Sequence, residues 1–221
     1  MIRTAPFLIA SIWLAAVPSF ARLQCSEPGI SVVGDRADAP HICELASRAI
    51  AELATCSVPL DRPILIEIFD TLPDGRIGQY HPGEDRIDLL SPGAAQAGLE
   101  SDNPMKMLHP DAFYYSILIH ELTHAALDDM PCPFPSCYAT QEYVAYAMQM
   151  RSLSADARAT LLTRPEFNRP IAADEINQPV VLFAPDVFMQ KAWLHFSQQA
   201  DPCGFIAEVA SWQYLFDREM N

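Results

Sequence analysis

The chain has 221 residues, 14 of them basic and 28 acidic, giving a net charge of −14 at neutral pH. A surface of that sign repels phosphate backbones and anionic headgroups, so nucleic-acid binding and peripheral membrane binding are disfavoured; a taste for cationic substrates is weaker as an explanation than simple solubility. No internal repeat, low-complexity tract or Gly/Ser linker divides the chain, and its length suits one domain with a substantial core.

Residues 1–21 read as a secretory signal: Arg3 supplies the positive start, Pro6 to Val17 a short apolar core, and Ser19-Phe20-Ala21 a small-x-small cleavage site. The apolar core is too short to span a bilayer. Leu23 and Gln24 stand before Cys25 where a lipoprotein signal needs small residues, so no lipid anchor is expected. The expectation is a secreted or periplasmic protein, away from the membrane after cleavage, with residues 22–221 as a single domain. Loss of Arg3 takes the mature charge to −15.

Beyond the signal, Ile30 to Val33 is a short β-type run ended by Gly34-Asp35. Ala39 to Ala54 carries Ile42, Leu45, Ala46, Ile50 and Leu53 at helical spacing. Pro63 to Phe69 is the clearest strand, closed by the turn signal Leu72-Pro73-Asp74-Gly75. Ile77 to Tyr80 and Arg86 to Leu90 predict two more strands, joined by His81 to Asp85. Ser91 to Pro110 reads as a loop-like crossing. Asp111 is expected to cap the helix Tyr114 to Asp129, which Pro131 stops. Helices follow at Thr140 to Met150 and Ala155 to Leu162, then an extended Pro- and Asn-rich stretch, then helices at Asp186 to Gln199 and around Phe205 to Phe216. The aromatic residues of this tail are spaced as core side chains.

All six cysteines, Cys25, Cys43, Cys56, Cys132, Cys137 and Cys203, lie beyond the signal, so three disulfides are expected; no C-x-x-C pair suggests a cysteine zinc site. Cys132 and Cys137 bracket a proline-rich loop and are natural partners. A helix from 43 to 56 would hold its ends about 20 Å apart against a bridging limit of roughly 7 Å, which excludes Cys43 with Cys56. Two pairings stay open: Cys25 with Cys43 and Cys56 with Cys203, or Cys25 with Cys56 and Cys43 with Cys203.

The chemistry is concentrated in Tyr114 to Asp129, YYSILIHELTHAALDD. On a helix His120 and His124 stand one turn apart on one face and can reach a single metal ion, while Glu121 lies about 100° round, its carboxylate free to take a proton from a bound water. Ile117, Leu118, Ile119, Leu122, Ala125, Ala126 and Leu127 surround them, the composition of a buried helix. One buried histidine is ordinarily a hydrogen-bonded core residue. The joint pattern His-Glu-x-x-His arises by chance in roughly one such chain in a hundred, and its helical context favours chemistry over packing.

On these residues the chain resembles the zincin metallopeptidases. The resemblance is specific over about residues 111 to 150. It implies an α+β fold in which a small twisted sheet, drawn mostly from the N-terminal half, packs on a central metal-binding helix ahead of a helical C-terminal part. It also implies an edge strand that holds extended substrate; Gly78-Gln79-Tyr80 and Ile87 to Leu90 are both candidates. A hydrolytic zinc needs three protein ligands and one open position. Zincins of the elongated type place a histidine six residues past the second motif histidine, with a glycine between; Met130 and Leu127 stand there, so that branch is excluded. Glu142, 18 residues past His124 and early in the next helix, resembles the gluzincin third ligand, and Ala139, Ala145 and Ala147 are small enough to let two helices meet. Asp128 is the runner-up, better suited to a supporting or helix-end role.

The resemblance implies Zn2+ as cofactor, His120, His124 and Glu142 as metal ligands, and a peptide or protein substrate. Glu121 is then the general base, and Tyr146, one turn past Glu142, the first choice for stabilising the oxyanion; Tyr80, His81, His109 and His195 are the other candidates. Gluzincins often carry an acidic supporting residue where this chain has Tyr146. Two other functions fit the same sequence: a zinc hydrolase acting on a non-peptide amide or ester such as a cell-wall bond, and a non-catalytic exported binding domain stapled by metal.

Overall fold

The computed structural model describes residues 21–35, 37–162 and 164–217; of the predicted signal, residues 1–21, all but Ala21 lie outside them. The fold is mixed α+β, with a five-stranded sheet followed by a helical second half. Strand β1 is Ala21–Gln24, β2 Ile30–Gly34, β3 Ile64–Phe69, β4 Gly78–His81 and β5 Arg86–Leu90; their spatial order is β1-β2-β3-β5-β4. β3 is central and pairs in parallel with both β2 and β5, while β1 and β4 close the two edges antiparallel. The parallel β2–β3 pair needs a crossover, which helix α1 (Ala39–Ala54) supplies. Of the stripe its helical spacing predicts, Ile42, Leu45, Ala46 and Leu53 are buried; Ile50 is half-buried, and Ala49 is buried in addition. The sheet order answers one question left open by the sequence: β4 is an edge and β5 is interior.

The segment expected as a plain crossing contains helix α2 (Pro92–Ala97) and a 3-10 turn at Pro104–Met107. Each begins with proline just inside its first turn, where the missing N–H costs nothing. Helix α3 (Pro110–Leu127) is apolar nearly all round and buried. Asp111, expected as its cap, lies in its first turn; the cap is His109, whose Nδ1 accepts from the Asp111 N–H at 3.3 Å. Helices α4 (Tyr138–Ser152), α5 (Ala155–Leu161), α6 (Gln178–Phe183), α7 (Pro185–Ser197) and α8 (Pro202–Ala210) complete the order. α6 interrupts the stretch expected to be extended, its start fixed by the Asn177 side chain accepting from Val180 N–H. α8 ends six residues short of the expected Phe216, where Trp212 turns left-handed at φ +59°.

Three disulfides are present: Cys25–Cys43, Cys56–Cys203 and Cys132–Cys137. Of the two pairings left open, the chain uses the one in which Cys25, just past β1, meets the first half of α1, and Cys56, just past its end, meets α8. Disulfides of this number belong to an oxidising compartment. Among the described residues, no helix is long and apolar enough to cross a membrane.

Asp128, just past the end of α3, is tied into the sheet and not to the motif histidines. It accepts from Arg62 at 2.7 Å and from Gly83 N–H at 3.0 Å, so it fastens the β4–β5 turn to the end of α3. Burial alone would raise its pKa; the Gly83 N–H, Arg62 and Tyr80 outweigh burial and hold it below the usual carboxylate range. A depressed folded pKa stabilises the fold above the unfolded value, near 3.9, and that stability disappears as pH falls through the folded value. Asp128→Asn is therefore expected to cost about 2 kcal/mol in urea unfolding at pH 7 and progressively less below about pH 4. A cost that is unchanged at pH 3 would show that the carboxylate charge is not what matters.

Candidate metal centre

α3 and α4 pack along each other, with Ala139, Ala145 and Ala147 fully buried, so small side chains do let the two helices approach. His124 meets Glu142 while His120 reaches both Glu142 and Gln149, so the pair runs antiparallel. α4 is held at its start by a distant group. The Asp217 carboxylate accepts from Ala139 N–H at 3.0 Å, Thr140 N–H at 2.9 Å and the Thr140 hydroxyl at 2.7 Å, capping donors that a helix start leaves unpaired.

The three expected ligands converge. His120 Nε2 and His124 Nε2 are 3.2 Å apart, and each lies 3.5 Å from one Glu142 carboxylate oxygen. A tetrahedral ion with bonds of 2.0–2.1 Å requires ligand atoms about 3.3 Å apart; the two histidine nitrogens meet that spacing, and Glu142 turns one carboxylate oxygen toward each of them. Among the described residues, these three form the cluster of histidine, cysteine and acidic side chains able to hold an ion.

The electrostatics point the same way. Burial, then the charge of His124, pushes His120 well below its ordinary pKa against the pull of Gln149, and burial takes His124 to about 4. Both imidazoles are thus neutral ligands at physiological pH. Burial raises Glu142 to about 7, opposed by the nearby Tyr138 hydroxyl. Glu121 is pushed to about 8 by burial, the Tyr80 N–H pulling down and Glu142 pushing up. Two buried carboxylates without a cation are costly, and a bound dication would relieve both.

Glu121 is positioned from the sheet. Its Oε2 accepts from Tyr80 N–H on edge strand β4 at 2.8 Å. Gly78 lies flat against it, and a Cβ there would come within 2.9 Å of Glu121 Cγ, Glu121 Oε1 and Leu89 Cδ2. Gly78→Ala should therefore move the Glu121 carboxylate while sparing the ligands. An ångström of displacement predicts a drop in kcat/KM of roughly 10–100-fold at unchanged metal content; wild-type turnover in the alanine variant would remove Gly78 from the site.

Four residues of the site were not anticipated. Asp217 is one, and Gly78, expected only as part of a candidate edge strand, is another in its contact with Glu121. Gln149, 2 % exposed, is the third: its Oε1 accepts from His120 Nδ1 at 3.0 Å and its amide reaches the Ser116 hydroxyl at 3.4 Å. That bond places the proton on Nδ1 and leaves Nε2 free for a metal, the support that Tyr146 does not offer. Gln149→Leu is expected to weaken metal affinity by about 10–100-fold, read by competition with a chromogenic chelator. An unchanged affinity would mean that the His120 ring is oriented by packing alone. The fourth is Tyr138, one turn before Glu142. Its hydroxyl is close to Glu142, and its pKa is pushed up to about 12 by burial first and by the Glu142 charge next.

Tyr146 packs its ring edge against His120, centroids 4.7 Å apart, and lies within the field of Glu142, Tyr138 and Glu121; burial and these charges raise its pKa. Tyr138, Glu142, Tyr146 and Gln149 thus share one face of α4 toward the histidines. The other candidates are engaged elsewhere. The Tyr80 hydroxyl accepts from Arg62, His81 pairs with Asp88 at 2.9 Å, and His109 caps α3. His195 meets the Tyr143 hydroxyl at 2.9 Å within a buried cluster that includes Phe205 and Phe216.

The molecule is thus a mixed α+β protein, disulfide-bonded, with a His-His-Glu cluster able to hold a metal. A family profile matches residues 30–219, and the chain belongs to that family, DUF6639, described as a family of unknown function. Neither the curated proteins nor the solved structures contain a match to it.

Proposed function

We propose that this is an exported, zinc-dependent metallopeptidase with a gluzincin-like site. The observation that carries the reading is the convergence of His120, His124 and Glu142 into one cluster whose ligand atoms lie within 4.8 Å of one another, with the Glu121 carboxylate held next to them by β4. Two histidines and one carboxylate are the ligand set of hydrolytic zinc, and three protein ligands leave a fourth position for water. Zinc bound there would acidify a water and polarise a carbonyl.

The chain's own groups supply the rest. Glu121 is placed to accept the proton of an attacking water and to return it to the leaving nitrogen. Tyr146 and Tyr138, on either side of Glu142, carry hydroxyls that stay protonated at neutral pH and can donate to a developing oxyanion. β4 offers an extended substrate a partner. Ile77 O accepts from Leu90 N–H, so alternation turns the backbone groups of Gly78 and Tyr80 away from β5; the Tyr80 N–H is taken by Glu121, which leaves the Gly78 groups and the Tyr80 carbonyl for a substrate. An open strand edge beside the base favours a peptide over a compact amide or ester. Export to the cell exterior or periplasm agrees with the three disulfides.

The test is hydrolysis of a mixed peptide library by zinc-loaded protein. Cleavage should stop with 1,10-phenanthroline and return with added zinc. Zinc-loaded protein that cleaves no peptide would end the peptidase reading.

A further inference from the structure

A cavity of about 250 Å³ opens on the side of α3 turned away from the metal ligands. Ala125, Ala126 and Leu127 line it, and Ala126 stands about 200° round the helix from His124. The loop between α1 and β3, Ser57 to Arg62, forms a second wall, and Ala210 closes it from α8. Its volume exceeds the roughly 150 Å³ that holds a benzene ring and falls short of the roughly 300 Å³ at which pockets for whole small molecules begin. The space suits one side chain. Its floor is apolar: Val58, Ala125, Leu127 and Ala210 are buried, with Leu60 and Met130 half-buried at the sides.

Three helices end at this cavity. α1 finishes at Ala54, shortly before Ser57, α3 at Leu127 and α8 at Ala210 itself. Each helix end carries a partial negative charge on its last carbonyls, and the attraction for a cation is strongest within that last turn. The side chains agree in sign. Asp61 and Asp129 are exposed at the mouth. Arg62, the basic residue among those described as lining the cavity, is already held by Asp128 at 2.7 Å, Asp129 at 2.5 Å and Asp85 at 3.3 Å. One guanidinium thus stands against four carboxylates and three helix ends.

We propose that this cavity binds the side chain of a lysine on a peptide segment, its methylene stem against the apolar floor and its ammonium among the helix ends and Asp61. Lysine fits better than arginine. A planar guanidinium grips carboxylates in pairs, and Asp128 and Asp129 are engaged by Arg62, whereas a compact ammonium can donate to single carbonyl oxygens in several directions. The net charge of −14 supplies attraction at longer range. The site needs neither zinc nor Glu121, so it goes beyond the peptidase reading and stands or falls without it.

The probes are N-acetyl-lysine methylamide and its norleucine and arginine counterparts, titrated at low ionic strength into isotope-labelled protein and followed by amide NMR shifts. The lysine probe should shift the amides of Ser57, Leu60, Ala126 and Met130 and bind about tenfold more tightly than norleucine. Ala126→Leu, which fills the cavity, should abolish binding. Asp61→Asn, at an exposed position that keeps its shape, should weaken binding about threefold, and thermal melts verify that both variants fold. Norleucine that binds as tightly as lysine, shifts that spare these amides, or binding unchanged in both variants would overturn the proposal. An arginine probe as tight as lysine would overturn the choice of lysine. Zinc-loaded and zinc-free protein should give the same Kd; a Kd that changes with zinc would place the probe in the metal centre and overturn the separate site.

Discussion

Glu121→Gln is expected to lower kcat/KM for peptide hydrolysis by about 10²–10⁴-fold while zinc content and folding stay at wild-type levels. The substitution is unusually clean here because of how Glu121 is held. Its Oε2 accepts the Tyr80 N–H at 2.8 Å, a bond that a glutamine oxygen of the same shape can keep. Gly78 bounds the carboxylate on the sheet side, and the shape of that contact is unchanged. What disappears is only the basic oxygen that takes a proton. Metal uptake should be untouched, since the cluster proposed to hold the ion, His120, His124 and Glu142, does not include Glu121. A glutamine variant as active as wild type would require a base elsewhere, and an inactive wild type with bound zinc would favour a metal-stapled binding domain.

The second large effect is on stability. Cys56 and Cys203 are 147 residues apart in sequence, so their bridge closes most of the chain. Loop-closure entropy assigns such a bridge about 5 kcal/mol, comparable with the whole stability of many domains. The Cys132–Cys137 bridge, with a separation of 5 residues, is worth about 2 kcal/mol by the same relation. The double variant Cys56→Ala, Cys203→Ala should accordingly unfold at much lower urea than Cys132→Ala, Cys137→Ala. It should also weaken metal binding, because α8 packs on α4 and the segment after it carries Asp217, which caps α4. Equal urea midpoints for the two double variants would remove loop closure as the source of the stability.

The parts of the site that were legible in the sequence are those fixed by local geometry. His120, Glu121 and His124 are set by the pitch of one helix. Glu142 needed only one further step, a reversal through the Cys132–Cys137 loop into a helix with small residues on its inner side. Following the Glu142 face two turns on would have reached Gln149, and one turn back Tyr138; both were within reach of the same helical spacing.

The remainder depends on contacts that no local pattern encodes. Asp217 caps α4 from 77 residues away, just past a stretch whose spacing predicts a helix and carries no signal of this contact. Gly78 matters only because β4 is the edge that passes over Glu121, and sheet order cannot be read from short strands of similar length. Strand β1, ARLQ, has little β-propensity; it exists because it pairs with β2, with Arg22 donating to the Ser31 hydroxyl at 2.8 Å and Cys25 bonded to Cys43. The choice between two disulfide pairings likewise followed from which end of α1 each partner meets.

The most direct measurement is zinc bound per chain after purification and dialysis, in wild type, His120→Ala and Glu142→Ala, with circular dichroism to verify folding. A centre made by His120, His124 and Glu142 requires near-stoichiometric zinc in wild type and large losses in both folded variants. Zinc that persists undiminished in Glu142→Ala would contradict the three-ligand centre on which the proposed function stands.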